Sequence, residues 1–144
     1  MATSNAATNY LERRLLHFLF KNNSLSFSSP GDNIYVGLAT AVSAAETGSL
    51  TEASFSGYAR QQVAAASWTT IGADSTDTQT AKNTSAIEFP AKTDSGNVTI
   101  THVIIADASS SGNILFVGAL DASKTLAQND IFRINATNLS IELK

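Results

Sequence analysis

Two periodicities divide the chain. Leu11, Leu15, Phe18 and Leu19 fall at i, i+4, i+7 and i+8, one face of a repeat of about 3.6 residues. Asn9, with Glu12 three residues later, forms a variant of the capping box, in which the Asn side chain accepts from an early backbone N–H while Glu reaches back. Together they predict a helix over residues 9–20. Leu16 and Phe20 lie off the main stripe, so this helix is apolar on a second side, and the simplest expectation is that both sides pack on the domain's own sheet. Residues 21–33, with paired Asn, several Ser and Pro30-Gly31, break the period and read as a loop.

From residue 34 the period becomes two. Residues 34–40 (IYVGLAT) are β-branched, aromatic and bounded by turn formers, as a strand requires. Weaker strands are expected at 58–66 and 67–71, after an Ala, Ser and Gly-rich loop over 41–57, and an exposed loop over 72–85. A short strand at 86–89 must end or lie at an edge because of Pro90. In residues 97–106 (NVTITHVIIA), Val98, Ile100, His102 and Ile104 share one face and Thr99, Thr101, Val103 and Ile105 the other. Residues 114–120 (ILFVGAL) complete a hairpin whose turn is 107–113. Strands at 130–135 and 137–143 follow. The predicted interior is Ile100, Ile104, Leu115, Val117, Phe132, Ile134, Leu139 and Ile141. One helix followed by seven or eight strands, with no βαβ alternation and no repeat, predicts a mainly β fold: an antiparallel β-sandwich, jelly-roll or Ig-like, with one N-terminal α-helix. The expected organisation is an arm over residues 1–8 and a single domain over 9–144. The arm, almost without apolar residues, is expected to owe its order to a partner chain.

Composition narrows the function classes. The 144 residues include no Cys, which removes thiol nucleophiles, Cys-bound zinc and disulfides. Charged residues are only 15%, against about a quarter in ordinary chains, so the surface is neutral and polar. A net charge of -3 argues against nucleic acid as partner. Residues 1–21 nevertheless carry Arg13, Arg14 and Lys21 against Glu12, which sets the N-terminal segment apart from an otherwise acidic chain. The longest apolar run, 114–120, is far shorter than the ~20 residues of a membrane-spanning helix, and the N-terminus does not have the pattern of a secretory signal.

Candidate chemistry is sparse. His17 and His102 share no motif, and nucleophile-elbow, zinc-hydrolase, P-loop and dinucleotide signatures do not occur. Asp74 and Asp77 match no EF-hand spacing and read as a solvated loop. Asn-x-Ser/Thr triplets at Asn22, Asn83, Asn97, Asn135 and Asn138 reflect a hydroxyl-rich composition. The residues point away from an enzyme, and no cofactor or metal is expected.

The order of short motifs carries a resemblance. Asn9-Tyr10-Leu11-Glu12, Ile34-Tyr35-Val36-Gly37-Leu38, Gly57-Tyr58-Ala59-Arg60-Gln61, Glu88-Phe89-Pro90, and Ile105-Ala106-Asp107 with Gly112-Asn113-Ile114-Leu115-Phe116 together resemble a family of small tailed-bacteriophage virion proteins. This chain departs from the pattern in a longer Ser and Thr-rich stretch between Arg60 and Phe89. Members are commonly labelled tail fibre proteins, while similar small β-rich phage proteins decorate capsids. The resemblance implies a virion structural protein, assembled in the host cytoplasm. The expected role is a capsid cement or decoration protein on the major capsid protein lattice. The alternatives are a tail fibre or baseplate protein that binds a host receptor, and a binding module of other target. Expected partners are the major capsid protein or other virion proteins and further copies of the chain, as dimer or trimer. The candidate interface residues are Tyr10, Arg13, Arg14, Leu16 and Phe20 on the helix, with Tyr58 and Arg60 beyond it.

Overall fold

In the computed structural model, which describes residues 5–21, 34–69 and 79–143, all strand pairing is antiparallel. The elements in chain order are β1 (Ala6–Ala7), α1 (Asn9–Lys21), β2 (Tyr35–Ala44), β3 (Ser49–Glu52), β4 (Gln61–Gln62), β5 (Gln79–Lys82), β6 (Ile87–Glu88), β7 (Val98–Ala106), β8 (Ile114–Leu126), β9 (Arg133–Ile134) and β10 (Ser140–Leu143). A curled sheet in the order β1-β8-β7-β2-β3, with β4 also pairing to β2, faces two ribbons, β5 with β10 and β6 with β9. The sandwich-like class read from the periodicity holds, with the second layer built from ribbons instead of one continuous sheet.

The larger core fills the space between the layers. Val36 and Leu38 of β2, Ile100 and Val103 of β7 and Leu126 of β8 meet Ile87, Phe89, Phe132 and Ile134 from the ribbon side. Phe89 lies edge-on to Phe132 at 5.9 Å and stacks on Tyr58 at 6.2 Å between ring centroids. Such offset and T-shaped pairs add to the area each ring buries. A smaller core of Ala39, Ala45, Ile104 and Val117 lies on the other face of the main sheet.

That division corrects the strand phase. The register of β7 on β8 slips between Ile100 and His102, where the β8 partners jump from Lys124 to Ala119. A bulge of this kind shifts alternation by one step. Ile100 therefore shares a core with Val103, while Ile104 looks to the opposite side with Val117. All four residues are buried; they do not line one interior.

The central hairpin has its turn at 107–113, as the sequence predicts. Asp107 accepts from the backbone N–H of Asn113 at 2.7 Å and from the Asn113 side-chain amide at 2.8 Å. Gly112 takes φ +68°, and a Cβ there would stand 2.6 Å from the Asp107 carboxylate. Other expectations give way to tertiary pairing. Residues 41–57 are not all loop, because β2 runs on to Ala44 and turns into β3, tied by hydroxyl contacts such as Ser43 to Ser49 at 2.8 Å. The strand expected over 58–66 shrinks to β4 and is followed by a 3-10 turn at Ala65–Ser67. Trp68 makes one isolated bridge, to Asn83. Residues 70–78, which include Asp74, Asp77 and the end of the strand expected over 67–71, lie outside the described residues. The part of the expected 72–85 loop that is described carries β5, a strand made by its partner β10 and not by any apolar alternation of its own.

Candidate functional site

The helix begins where the chain is bolted to the sheet. Ala6 and Ala7 pair with Val117 and Phe116 of β8, and the Asn5 side chain accepts from the Ala119 N–H at 2.6 Å. Residues 5–8 thus take their order from the domain itself, contrary to the expectation that a partner chain orders them. The cap is Thr8 and not Asn9. The buried Thr8 hydroxyl donates to the Ile114 carbonyl at 2.6 Å and accepts, at 3.4 Å, from the Leu11 N–H, one of the orphan donors of the first turn. The Thr8 and Asn9 N–H groups donate to the Leu115 and Glu46 carbonyls at 2.9 and 2.7 Å. Glu12 in the first turn and Lys21 in the last suit the helix dipole.

Beyond this anchor the helix is covered only in part. None of its residues is buried, and Leu16, Leu19 and Phe20 are 56%, 60% and 76% exposed, with Leu15 and Phe18 also exposed. The expectation that both apolar sides pack on the domain's own sheet is therefore wrong. The better covered positions are Tyr10, Leu11, Arg14 and His17, and Arg14 lies over the Tyr10 ring at 5.3 Å. Amphipathicity is thus reversed relative to a helix lying on its own core: the apolar side looks outward.

Tyr58 and Arg60 have a different placement. The Arg60 guanidinium is bidentate to Glu52, 2.8 Å on each arm, and donates also to the Ala108 and Ser111 carbonyls, both at 2.8 Å. Its side chain is only 5% exposed. Tyr58 donates to Glu52 at 2.7 Å and accepts from the Leu38 N–H at 3.0 Å. Burial acts to raise the Glu52 pKa, but the hydrogen bonds from Arg60 and Tyr58 and the Arg60 charge together hold it below the ordinary value. Burial first, then the bond to Glu52, push the Tyr58 hydroxyl well up. Arg60 clasps β3 to the β7–β8 turn and Tyr58 ties β3 to β2, so the polar groups of both are engaged within the domain. Sequence reasoning missed Glu52 and Asp107, the acceptors that turn Arg60 and the hairpin inward. In a chain this poor in charge, an arginine next to aromatic and glycine motifs was the available signal.

Other polar groups are likewise structural. Lys92, 2% exposed, reaches Asp94 at 3.1 Å and the Asp94 carbonyl at 2.6 Å. Asn83, fully buried, donates to the Ser85 and Asn135 carbonyls and accepts from the Leu139 N–H. That arrangement removes Asn83 as a glycan acceptor. His102 meets Thr101 at 2.8 Å, and burial lowers its pKa. Among the described residues no cluster of His, Cys, Asp or Glu is placed to hold a metal, and no helix is long and apolar enough to cross a membrane. A groove of about 760 Å³ runs between β8 and the β9–β10 segment, lined in part by Phe116, Leu120, Leu139 and Ile141, without a converging set of catalytic groups.

The family model described as Podophage GP4 fiber I protein gp80 matches residues 6–142, which take in every element from β1 onward except the last residue of β10. The chain belongs to that family. No curated protein matches it. Membership of the gp80 family agrees with the phage virion resemblance read from the ordered motifs, and with the fibre label that such proteins carry. Both the outward helix and the Glu52–Arg60 clasp fall within the matched region, so they belong to the gp80-like unit and not to an appendage.

Proposed function

We propose that the chain is a structural subunit of the phage particle, that it sits in a fibre, and that it is held among its neighbours through α1. The observation that carries this reading is a helix bolted to the sheet by Thr8 that turns Leu15, Leu16, Phe18, Leu19 and Phe20 to solvent. The family description supports a fibre as the location. The sparse surface charge suits attachment through apolar and neutral hydrogen-bonded contacts to other virion proteins.

A second reading is capsid cement or decoration on the major capsid protein. It is favoured by the outward apolar helix face, which would serve attachment to a shell as well as to a fibre. Copy number separates the two, because a shell of icosahedral symmetry needs hundreds of copies and a tail appendage a few to a few tens, on the order set by particle symmetry. Quantitative mass spectrometry of purified particles, with immunogold labelling of a C-terminal tag, is the test. Tens of copies located at the tail support a fibre subunit, hundreds over the head support cement, and absence from particles overturns both. Because residues 5–8 are part of the sheet edge and the helix cap, substitutions on the outer helix face probe attachment more cleanly than deletion of residues 2–8.

A further inference from the structure

Attachment through α1 leaves the groove between β8 and the β9–β10 segment unused, since none of the described residues that line it belongs to that helix. Its floor is apolar. Val103 and Ile105 lie on one side of β7, Phe116 stands opposite Ile105 on β8, and Leu139 and Ile141 close the far side. Val103 and Ile105 are buried, whereas Phe116, Leu139 and Ile141 are half-buried and keep part of their surface open to the groove. The rim is polar. Asn135, Asn138, Asp121 and Glu142 are exposed there, and none of these four side chains has a hydrogen-bond or ion partner among the described residues. The side chains of Asn83, Lys92 and Asp107, by contrast, are all engaged within the fold. The backbone beneath Asn135 and Asn138 is nevertheless fixed. The buried Asn83 amide donates to the Asn135 carbonyl at 2.9 Å, the Asn138 N–H donates to the same carbonyl at 3.2 Å, and the Thr137 N–H donates to the Asn83 carbonyl at 2.7 Å. A rim held by a buried hub presents its free amides already placed, which removes part of the ordering cost of binding.

We propose that this groove binds a neutral oligosaccharide. Its volume of about 760 Å³ lies within the range of about 300–1,000 Å³ of ligand sites. The lining offers the two kinds of surface that a sugar presents. A side-chain amide both donates and accepts, and a carboxylate accepts at two oxygens, so amides and carboxylates on one rim match neighbouring hydroxyls, each of which donates and accepts in turn. The C–H face of a pyranose ring is apolar and lies on the floor beside Phe116, where the negative face of the aromatic ring favours it. Charge excludes acidic chains. Arg133 stands 3.2 Å from Glu88, so Asp121 and Glu142 leave the rim net negative, and a phosphate or uronate would meet like charge. Strand pairing excludes an extended peptide, which would need a free sheet edge beside the groove. That stretch of the β8 edge is already taken: β1 pairs with Phe116 and Val117, and the Asn5 side chain accepts from the Ala119 N–H at 2.6 Å.

An array of immobilised oligosaccharides, probed with the fluorescently labelled full-length chain, tests the site. Neutral chains of glucose, galactose, mannose or N-acetylglucosamine should retain the protein, and fragments of polygalacturonate and heparin should not. Asn135→Ala with Asn138→Ala should weaken affinity for whichever neutral chain is retained by about tenfold or more, as the loss of two neutral hydrogen bonds implies. Because both side chains are exposed and unpartnered, the urea midpoint of that variant should be that of the parent. If the double variant misfolds, nuclear magnetic resonance of the ¹⁵N-labelled parent supplies a second readout. On titration with the retained sugar, the side-chain amide signals of Asn135 and Asn138 should shift, whereas that of Gln128, which lies outside the groove and donates to the Thr93 carbonyl, should not. Retention of no neutral chain, retention of the acidic fragments, affinity unchanged in a folded double variant, or amide signals that stay in place would each overturn the saccharide site. Sugar binding by a chain absent from particles would leave the site standing and overturn the virion role; a chain present in particles that binds no neutral sugar would do the reverse.

Discussion

Arg60→Met is the sharpest test of how the domain holds its shape. Methionine keeps the aliphatic stem in place but removes the two bonds to Glu52 and the two to the Ala108 and Ser111 carbonyls. Breaking a buried ion pair costs about 3–5 kcal/mol because a charge is stranded. Glu52 is still 29% exposed, so water takes over part of that charge and the expected loss falls to about 2–4 kcal/mol. With a urea dependence of about 2 kcal/mol per molar, the midpoint should drop by roughly 1–2 M. The single Trp68, packed against the larger core, provides the fluorescence signal. Parent and variant are compared at one protein concentration, since association raises apparent stability. The pH dependence supplies an independent check. Glu52 has a folded pKa below its unfolded value of about 4.3, so its contribution is fully present above that value and is lost as pH falls through the folded pKa. The gap between parent and variant should accordingly be full at neutral pH and narrow in strong acid, leaving a remainder from the two carbonyl bonds. A gap below about 1 kcal/mol at neutral pH, or one unchanged in acid, would refute the clasp.

Ile104→Ala and Phe132→Ala, each buried but in different cores, should each cost about 2–5 kcal/mol in urea unfolding, with nearly additive effects in the double variant. Thr8→Ala removes the cap and the bond to Ile114, and should lower the helical signal by circular dichroism with a stability loss of about 1–2 kcal/mol. Particles washed with roughly 0.5 M NaCl should retain the protein, because an apolar helix face is not screened by salt; quantitative release with the fold intact would contradict attachment through that face.

The strongest periodicities translated directly. The helix expected over 9–20 is Asn9–Lys21, and the 107–113 turn separates β7 from β8. What the pattern could not carry is pairing made by partners. β1 is two alanines whose strand character comes from the β8 edge, β3 is held by hydroxyl contacts from β2, and β5 exists because β10 and the Asn83 hub bring it in. Alternation also assumes an unbroken ladder, so the slip at Ile100 and His102 moved Ile104 to the other core although every residue involved reads as buried. Of the candidate interface residues on the helix, Leu16 and Phe20 stand exposed, as their surplus of apolar surface suggested, while Tyr10 and Arg14 are among the better covered positions. The inward commitment of Tyr58 and Arg60 was not legible, because it depends on Glu52 and the carbonyls of a turn some fifty residues away.

The placement of charge and of apolar surface fits one assembly logic. Among the described residues, Arg60 with Glu52, Lys92 with Asp94 and Arg133 with Glu88 form ion pairs within the domain, and the Asp107 carboxylate closes the hairpin turn. These charges are thus paired within the domain, and both cores are filled by its own side chains. The helix differs. An isolated helix of 13 residues is marginal in water, and α1 is capped at its first turn by Thr8. Among the described residues, Phe18, Leu19 and Phe20 in its later turns stay exposed, which is the surface the proposed attachment would cover. If the helix face is the attachment surface, folding and assembly are separable: the β domain sets the helix in position, and association adds burial afterwards. A neutral Ser, Thr and Asn-rich exterior elsewhere gives competing contacts little to hold, so substitutions on the apolar helix face should weaken retention in particles more than substitutions on the β domain surface.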